Sequence, residues 1–309
     1  MKNQTIKEIL NMKKVISATV TPLLENGKLD KTGLKNILER NIRHGIDGVF
    51  LFGSMGEWGS FSNDFKAEAV EIAVGCVKHR MELLAGINAT SLPLSLEIMK
   101  DYARYDVDAY VFMLPGKTSA LDPVKSILTV LDAAEKPVYY YHCPPNNGIN
   151  LSLGQFETIM RHPNLKGIKN SSSNMWLRRE LLILREEQQL NTLFFEGQEW
   201  AADEALIAGC DGMICGMGAL CSKMMKTLAS CVDKGDIPGA VAAQNRMIKL
   251  FHGVYGIDLA NVWNGQKYAL MKLGLIASPF TIAQEMDSLT DAAKARIDNC
   301  LAEFKAELD

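Results

Sequence analysis

Residues 48–57 read GVFLFGSMGE, an apolar run that passes with no spacer into a loop of small residues. The run has the composition of a strand, and Gly53-Ser-Met-Gly-Glu57 is the loop at its end. Working outward, seven further runs share the pattern: VISATV at 15–20, ELLAGI at 82–87, AYVFML at 109–114, PVYYY at 137–141, LKGIK at 165–169, TLFFEG at 192–197 and GMICG at 212–216. Helical patterns fill the gaps. Leu34, Ile37, Leu38 and Ile42 repeat at helical spacing between Asp30, an N-cap residue, and Gly45, a C-terminal stop. Asp122-Pro123 sets a cap before a first-turn proline, and Ser152 to Gln155 forms a capping-box pattern.

Eight strands, each followed by a helix, predict a (β/α)8 TIM barrel over 15–222, after an N-terminal tail at 1–14. Beyond residue 222 the strand signals stop. MMKTLASCV, AVAAQNRMIKLF, GQKYALMKLG and the tail from Thr281 to Leu308 all read as helices, so 223–309 is expected to be a C-terminal helical segment. No linker or low-complexity tract separates it from the barrel, which predicts close packing.

The 309 residues are 48% hydrophobic and 22% charged, with a formal net charge of -3. That balance describes a globular chain and gives no basic footprint for nucleic acid. No apolar run approaches a membrane span, and the N-terminus lacks a signal-peptide core. Seven scattered cysteines without a CxxC pair point to a reduced, cytoplasmic compartment. The five histidines show no HExxH or paired ligand spacing, so no metal is expected.

In a barrel of this kind, functional groups gather at the carboxyl ends of the strands. Lys169 closes LKGIK, where an amine in apolar surroundings is more easily deprotonated and attacks carbonyls. The strand alone also fits a snorkelling lysine, and Lys166 at its other end fits that description better. Tyr141 ends the neighbouring strand, where its phenol can relay protons beside the amine. GSMGE lacks the lysine and the glycine spacing of a phosphate loop. Ser54 and the N–H groups of Ser54 and Met55 can form a small anion nest, or the stretch is a tight turn. Glu57 reads as a carboxylate that holds the loop rather than as a base.

In order, Ala18-Thr-Val-Thr-Pro22, GSMGE, Tyr141-His-Cys-Pro144, Gly167-Ile-Lys169 and Gly212-Met-Ile-Cys-Gly216 resemble the class I aldolase family of dihydrodipicolinate synthase and N-acetylneuraminate lyase. The resemblance runs from about Ile16 to Leu275. It implies that Lys169 forms a Schiff base with pyruvate or a related 2-oxo acid and that Tyr141 relays the protons. The loop residues Ser54 and Met55 then grip the carboxylate, and Ile214 lends its backbone carbonyl at the pyruvate end. No cofactor is implied, because the iminium supplies the electrophile. A homotetramer and an aldehyde partner are implied as well.

Five positions depart from the family pattern. Gly116-Lys117 stands where a Tyr-Tyr relay is usual, and Asn146 where an arginine meets the carboxylate of the aldehyde partner. Met55 replaces a threonine, and His142 replaces an asparagine and reads as a packing residue first, an acid–base group second. Lys117 fits either a carboxylate contact or a solvated lysine. Asn146, Asn147 and Gln198-Glu199 fit either contacts to a hydroxylated substrate tail or plain loop polarity. The outcomes left open are aldol cleavage of a 2-keto-3-deoxy sugar acid, 4-hydroxy-tetrahydrodipicolinate synthesis from aspartate semialdehyde, dehydration of a keto-deoxy acid, and 2-oxo acid binding without turnover.

Overall fold

Residues 12–116 and 122–309 are described by the computed structural model. Eight strands, β1 (Lys14–Ala18), β2 (Gly48–Leu51), β3 (Glu82–Gly86), β4 (Ala109–Phe112), β5 (Val138–His142), β6 (Leu165–Asn170), β7 (Leu193–Glu196) and β8 (Gly212–Cys215), close in sequence order into one barrel. Neighbours are parallel all the way round, with β8 returning to β1. Most strands stop short of the apolar runs that encode them, because the chain leaves the ladder early to build the loops. After β2, Phe52 already has a left-handed φ of 58°. Its carbonyl accepts from Asn88 Nδ2 at 3.1 Å. Gly86 makes room for it, since a Cβ there would lie 2.5 Å from the Phe52 oxygen.

The surrounding helices are α1 (Lys31–Arg43), α2 (Asn63–Val77), α3 (Leu92–Tyr102), α4 (Pro123–Ala133), α5 (Leu153–Met160), α6 (Met175–Glu187), α7 (Ala202–Ile207) and α8 (Gly218–Asp233). Their starts follow the local chemistry of the sequence. The Asp30 carboxylate accepts from Gly33 N at 2.8 Å, Asp122 accepts from Val124 N at 2.9 Å, and Ser152 with Gln155 forms a reciprocal capping box. Each such cap contributes about 1 kcal/mol.

Ile16, Phe50, Leu84, Val111, Tyr139, Phe195 and Ile214 fill the barrel interior. Burying side chains of this size contributes about 1.5–3 kcal/mol each. Lys166, at the end of β6 away from Lys169, pairs with Glu82. It is structural.

Helix α8 bends at Cys221, whose φ and ψ are -111° and 28°, and carries the chain from β8 into α9 (Ile237–Tyr255), α10 (Val262–Lys272), α11 (Asp291–Glu303) and α12 (Lys305–Leu308). One expectation needs correcting: the tail is not helical from Thr281. Only a 3-10 turn at Met286–Ser288 precedes Thr290, the N-cap of α11, which accepts from Ala293 N at 3.2 Å. The segment stays irregular because its donors are committed elsewhere. Thr281 Oγ1, Ile282 N and Ala283 N all donate to Glu57, at 2.7, 2.8 and 3.0 Å. Among the described residues no helix is long and apolar enough to cross a membrane.

Candidate active site

The ladder places Tyr141 on β5 opposite Lys169 on β6, near the carboxyl ends of both strands. Lys169 is 4% exposed. Its Nζ lies 4.3 Å from the centroid of the Tyr141 ring and 5.3 Å from that of Phe50. Burial lowers the lysine pKa from its ordinary value, against a smaller opposing pull from acidic groups that include Glu199. The amine is thereby biased toward the neutral, nucleophilic form. Tyr141 is also buried, and burial raises its pKa, opposed in part by the hydroxyls of Ser54 and Ser171. It is therefore protonated and able to donate.

Gly197, just past β7, makes this arrangement possible. A Cβ there would lie 2.0 Å from Ser171 Oγ and 3.0 Å from Lys169 Cε. Any side chain would displace the Ser171 hydroxyl and press on the lysine stem.

Ser54 joins three elements. Its Oγ shares a 3.3 Å hydrogen bond with the Tyr141 phenol and accepts from Asn146 Nδ2 at 2.6 Å. Its carbonyl accepts from Trp263 Nε1, on α10, at 3.1 Å. The backbone N–H groups of Ser54 and Met55 find no acceptor among the described residues. Glu57 fixes the far end of the loop: its carboxylate pairs with Lys267 on α10, both side chains fully buried. Two non-glycine residues, Phe52 and Glu57, sit at left-handed φ at the loop ends, at 58° and 56°. Backbone conformations of that kind persist only where the surroundings impose them.

These groups open on a cavity of about 220 Å3, with Lys169, Tyr141, Ser54, Met55 and Asn146 in its wall. Ile214 falls outside that wall, buried in the barrel interior beside Ile16 in register. Gln198 and Glu199 both line the cavity. The Gln198 amide donates to Ser171 O and Ser173 Oγ, each at 2.9 Å. Glu199 Oε1 accepts from Met217 N at 2.9 Å, and burial raises its pKa. Asn147 turns away, donating to Leu114 O at 3.1 Å. His142 also faces away, behind Tyr141, with its ring edge against Phe156 at 5.0 Å and no hydrogen-bond partner for either nitrogen. Burial lowers its pKa to about 4, as for a neutral packing residue. Lys117 lies outside the described residues. No group of three His, Cys, Asp or Glu side chains among the described residues could hold a metal.

Reading strand ends misses the part of the wall that the C-terminal helices supply. Phe251 and Tyr255 on α9, Val262 on α10 and Leu259 between them all line the cavity, as do Cys143, Trp200 and Gly197. Gly197 was in reach of the sequence, since it ends TLFFEG. The residues of α9 and α10 carried no signal, because nothing in a helical period says which neighbour its apolar face covers.

Comparison with known proteins agrees with the barrel. The profile of the Dihydrodipicolinate synthetase family matches residues 11–303. An uncharacterized DapA-like lyase of Rhizobium meliloti is 28% identical over 77% of this chain and 79% of its own length. The N-acetylneuraminate lyase of Escherichia coli (strain K12 / DH10B) is 26% identical over 87% of this chain and 89% of its own. Among solved structures, a monomeric dihydrodipicolinate synthase variant superposes with a TM-score of 0.87 at 18% identity, covering 99% of this chain and 100% of that one. CdNal from Clostridium difficile, solved in complex with mannosamine, gives 0.85 at 23%, covering 95% and 99%. At such identities the solved structures speak for the fold alone. With a family match over nearly the whole length and this barrel beneath it, the chain belongs to the dihydrodipicolinate synthetase family of lyases, the class I aldolases.

Proposed function

We propose that the protein is a Schiff-base lyase that joins pyruvate, or a related 2-oxo acid, to an aldehyde and reverses the same step. One observation carries the reading: a buried lysine amine at a strand end, 4.3 Å from the ring centroid of a buried tyrosine. The neutral Lys169 amine adds to the keto carbon, forming a C–N bond and a carbinolamine. Tyr141 donates the proton that lets the hydroxyl leave as water, which yields the iminium. Loss of a proton from the neighbouring carbon gives an enamine, whose carbon attacks the aldehyde carbon while the aldehyde oxygen takes up a proton. Water then adds to the new iminium, releasing the product and restoring the amine.

Ser54 Oγ and the N–H groups of Ser54 and Met55 hold the substrate carboxylate in this reading, while Ile214, outside the cavity wall, has only the family resemblance behind its contact. The chemistry asks for no cofactor, since the iminium is its own electron sink. A cytoplasmic homotetramer is the assembly we adopt from the family resemblance. Asn146 already donates to Ser54 and carries no charge, so a second carboxylate on the aldehyde would lack a counter-ion at this position.

The test is incubation with pyruvate and sodium borohydride, followed by peptide mass spectrometry. A reduced adduct on Lys169 that is lost in Lys169→Ala supports the reading. Absence of any adduct with pyruvate and with longer 2-oxo acids overturns it, in favour of binding without turnover.

A further inference from the structure

We infer that the part of the cavity beyond Lys169 is an apolar subsite, and that the aldehyde partner is an apolar, aromatic aldehyde rather than a sugar or a semialdehyde acid. The inference rests on the Schiff-base reading above and adds what the second substrate must be.

Its first support is the wall supplied by the C-terminal helices. Phe251, Tyr255, Leu259 and Val262 line the cavity together with Met55 and Pro145. Trp200 stands at the rim, 44% exposed, with its ring edge-on to Phe251 at 5.7 Å and 75°. Phe251 in turn meets Tyr255 at 4.7 Å and 68°. Three aromatic rings thus run in series down one side, the geometry in which a further ring gains an edge or face contact.

The second support is how the polar groups of the wall are used. Gln198 spends its amide on Ser171 and Ser173, Glu199 accepts from Met217, Asn146 donates to Ser54, and the Tyr255 hydroxyl accepts from Gln266. Of the side chains in the wall, Ser171 Oγ is left without a partner, so a hydroxyl-rich tail would recover only few of the hydrogen bonds it surrenders to water. Lys169 is the single cation among the described lining residues, and in this reading it is consumed by the Schiff base.

The third support is Leu259 itself. It has a left-handed φ of 59°, a conformation uncommon for a bulky residue. The surrounding backbone enforces it: Leu259 N donates to Gly256 O at 3.2 Å and Asn261 N to Tyr255 O at 2.9 Å. Arg296 clamps the same turn through Asn261 Oδ1 at 2.8 Å and Gly253 O at 3.1 Å. The fold thus holds a strained leucine at the cavity wall, where a polar residue would sit in the same backbone with less strain.

The experiment measures kcat/KM for condensation of pyruvate with benzaldehyde, glyceraldehyde, mannosamine and succinic semialdehyde. Borohydride trapping of pyruvate on Lys169 is run on the same preparation. Benzaldehyde is expected to lead by about tenfold or more, the lower end of what an apolar pocket discriminates. In Leu259→Asn, a substitution that tolerates left-handed φ, the benzaldehyde-to-glyceraldehyde ratio is expected to fall about tenfold. Pyruvate trapped on Lys169 with a hydroxylated or carboxylated aldehyde leading, with no aldehyde consumed, or with a ratio unmoved by Leu259→Asn overturns the subsite alone. No trapping at all overturns the Schiff-base reading and the subsite with it.

Discussion

Replacing Glu57 by glutamine tests whether the loop after β2 is held by a buried charge. The carboxylate receives the Lys267 ammonium, the Thr281 hydroxyl and the amides of Ile282 and Ala283, with Glu57 3% and Lys267 0% exposed. Glu57→Gln keeps the shape and removes the charge, which leaves the ammonium buried and unpaired. Breaking one side of such a pair costs about 3–5 kcal/mol. The opposite single variant, Lys267→Met, leaves a carboxylate that still has three donors, so its cost should be smaller, about 2 kcal/mol. The double variant removes both charges together and is expected to be more stable than the sum of the singles by about 2 kcal/mol or more. Urea unfolding of the four proteins, followed by far-UV circular dichroism at neutral pH, gives the cycle. A coupling below about 0.5 kcal/mol, the scatter of independent sites, refutes the reasoning.

Three further outcomes follow from the same geometry. Gly197→Ala should leave the far-UV spectrum unchanged and lower kcat/KM by about 100-fold, because its Cβ displaces Ser171 Oγ and presses on the lysine stem; a loss under about threefold in the condensation assay would show that the glycine clears nothing. Tyr141→Phe should lower kcat by about 10²–10⁴-fold, the range of general acid–base catalysis, and slow borohydride trapping as well; trapping at the wild-type rate removes Tyr141 from the relay. His142 has a pKa lowered from 6.5 to about 4 in the folded chain, so the unfolded chain binds the extra proton between those values. Its contribution is complete above about pH 6.5 and is lost as pH falls toward 4, a change on the order of 3 kcal/mol. His142→Phe should flatten that loss when urea midpoints are compared at neutral and mildly acidic pH, and parallel profiles for the two proteins would count against it.

The barrel was legible because strand and helix carry different local signatures here. Asp30, Asp122 and Ser152 announce three helix starts by capping chemistry alone, and each cap is made. Lys169 and Tyr141 could be paired on paper because adjacent parallel strands put their ends side by side, and the ladder matches them residue for residue. Glu57 could be suspected of holding its loop, but not of reaching Lys267, since nothing local connects positions 210 residues apart. A similar distance in sequence hid Thr281 to Ala283. Their side chains and spacing suit a helix start, and only a carboxylate arriving from the β2 loop takes up the donors and keeps the backbone irregular. The apolar faces of α9 and α10 were visible as helix faces, but that they overhang the strand ends is decided by packing.

The Glu57–Lys267 pair also has a consequence in time. A chain growing from its N-terminus at about 5–20 residues per second makes Glu57 roughly 10–40 s before Lys267 exists. Throughout that interval the loop beside Ser54 lacks its clamp, and for most of it the cavity lacks the wall formed by Phe251, Tyr255 and Val262. A nascent barrel can therefore carry Lys169 and Tyr141 without a finished pocket around them. A premature stop before α10 therefore yields a chain that has Lys169 but lacks Val262 in the cavity wall and Lys267 to hold the loop.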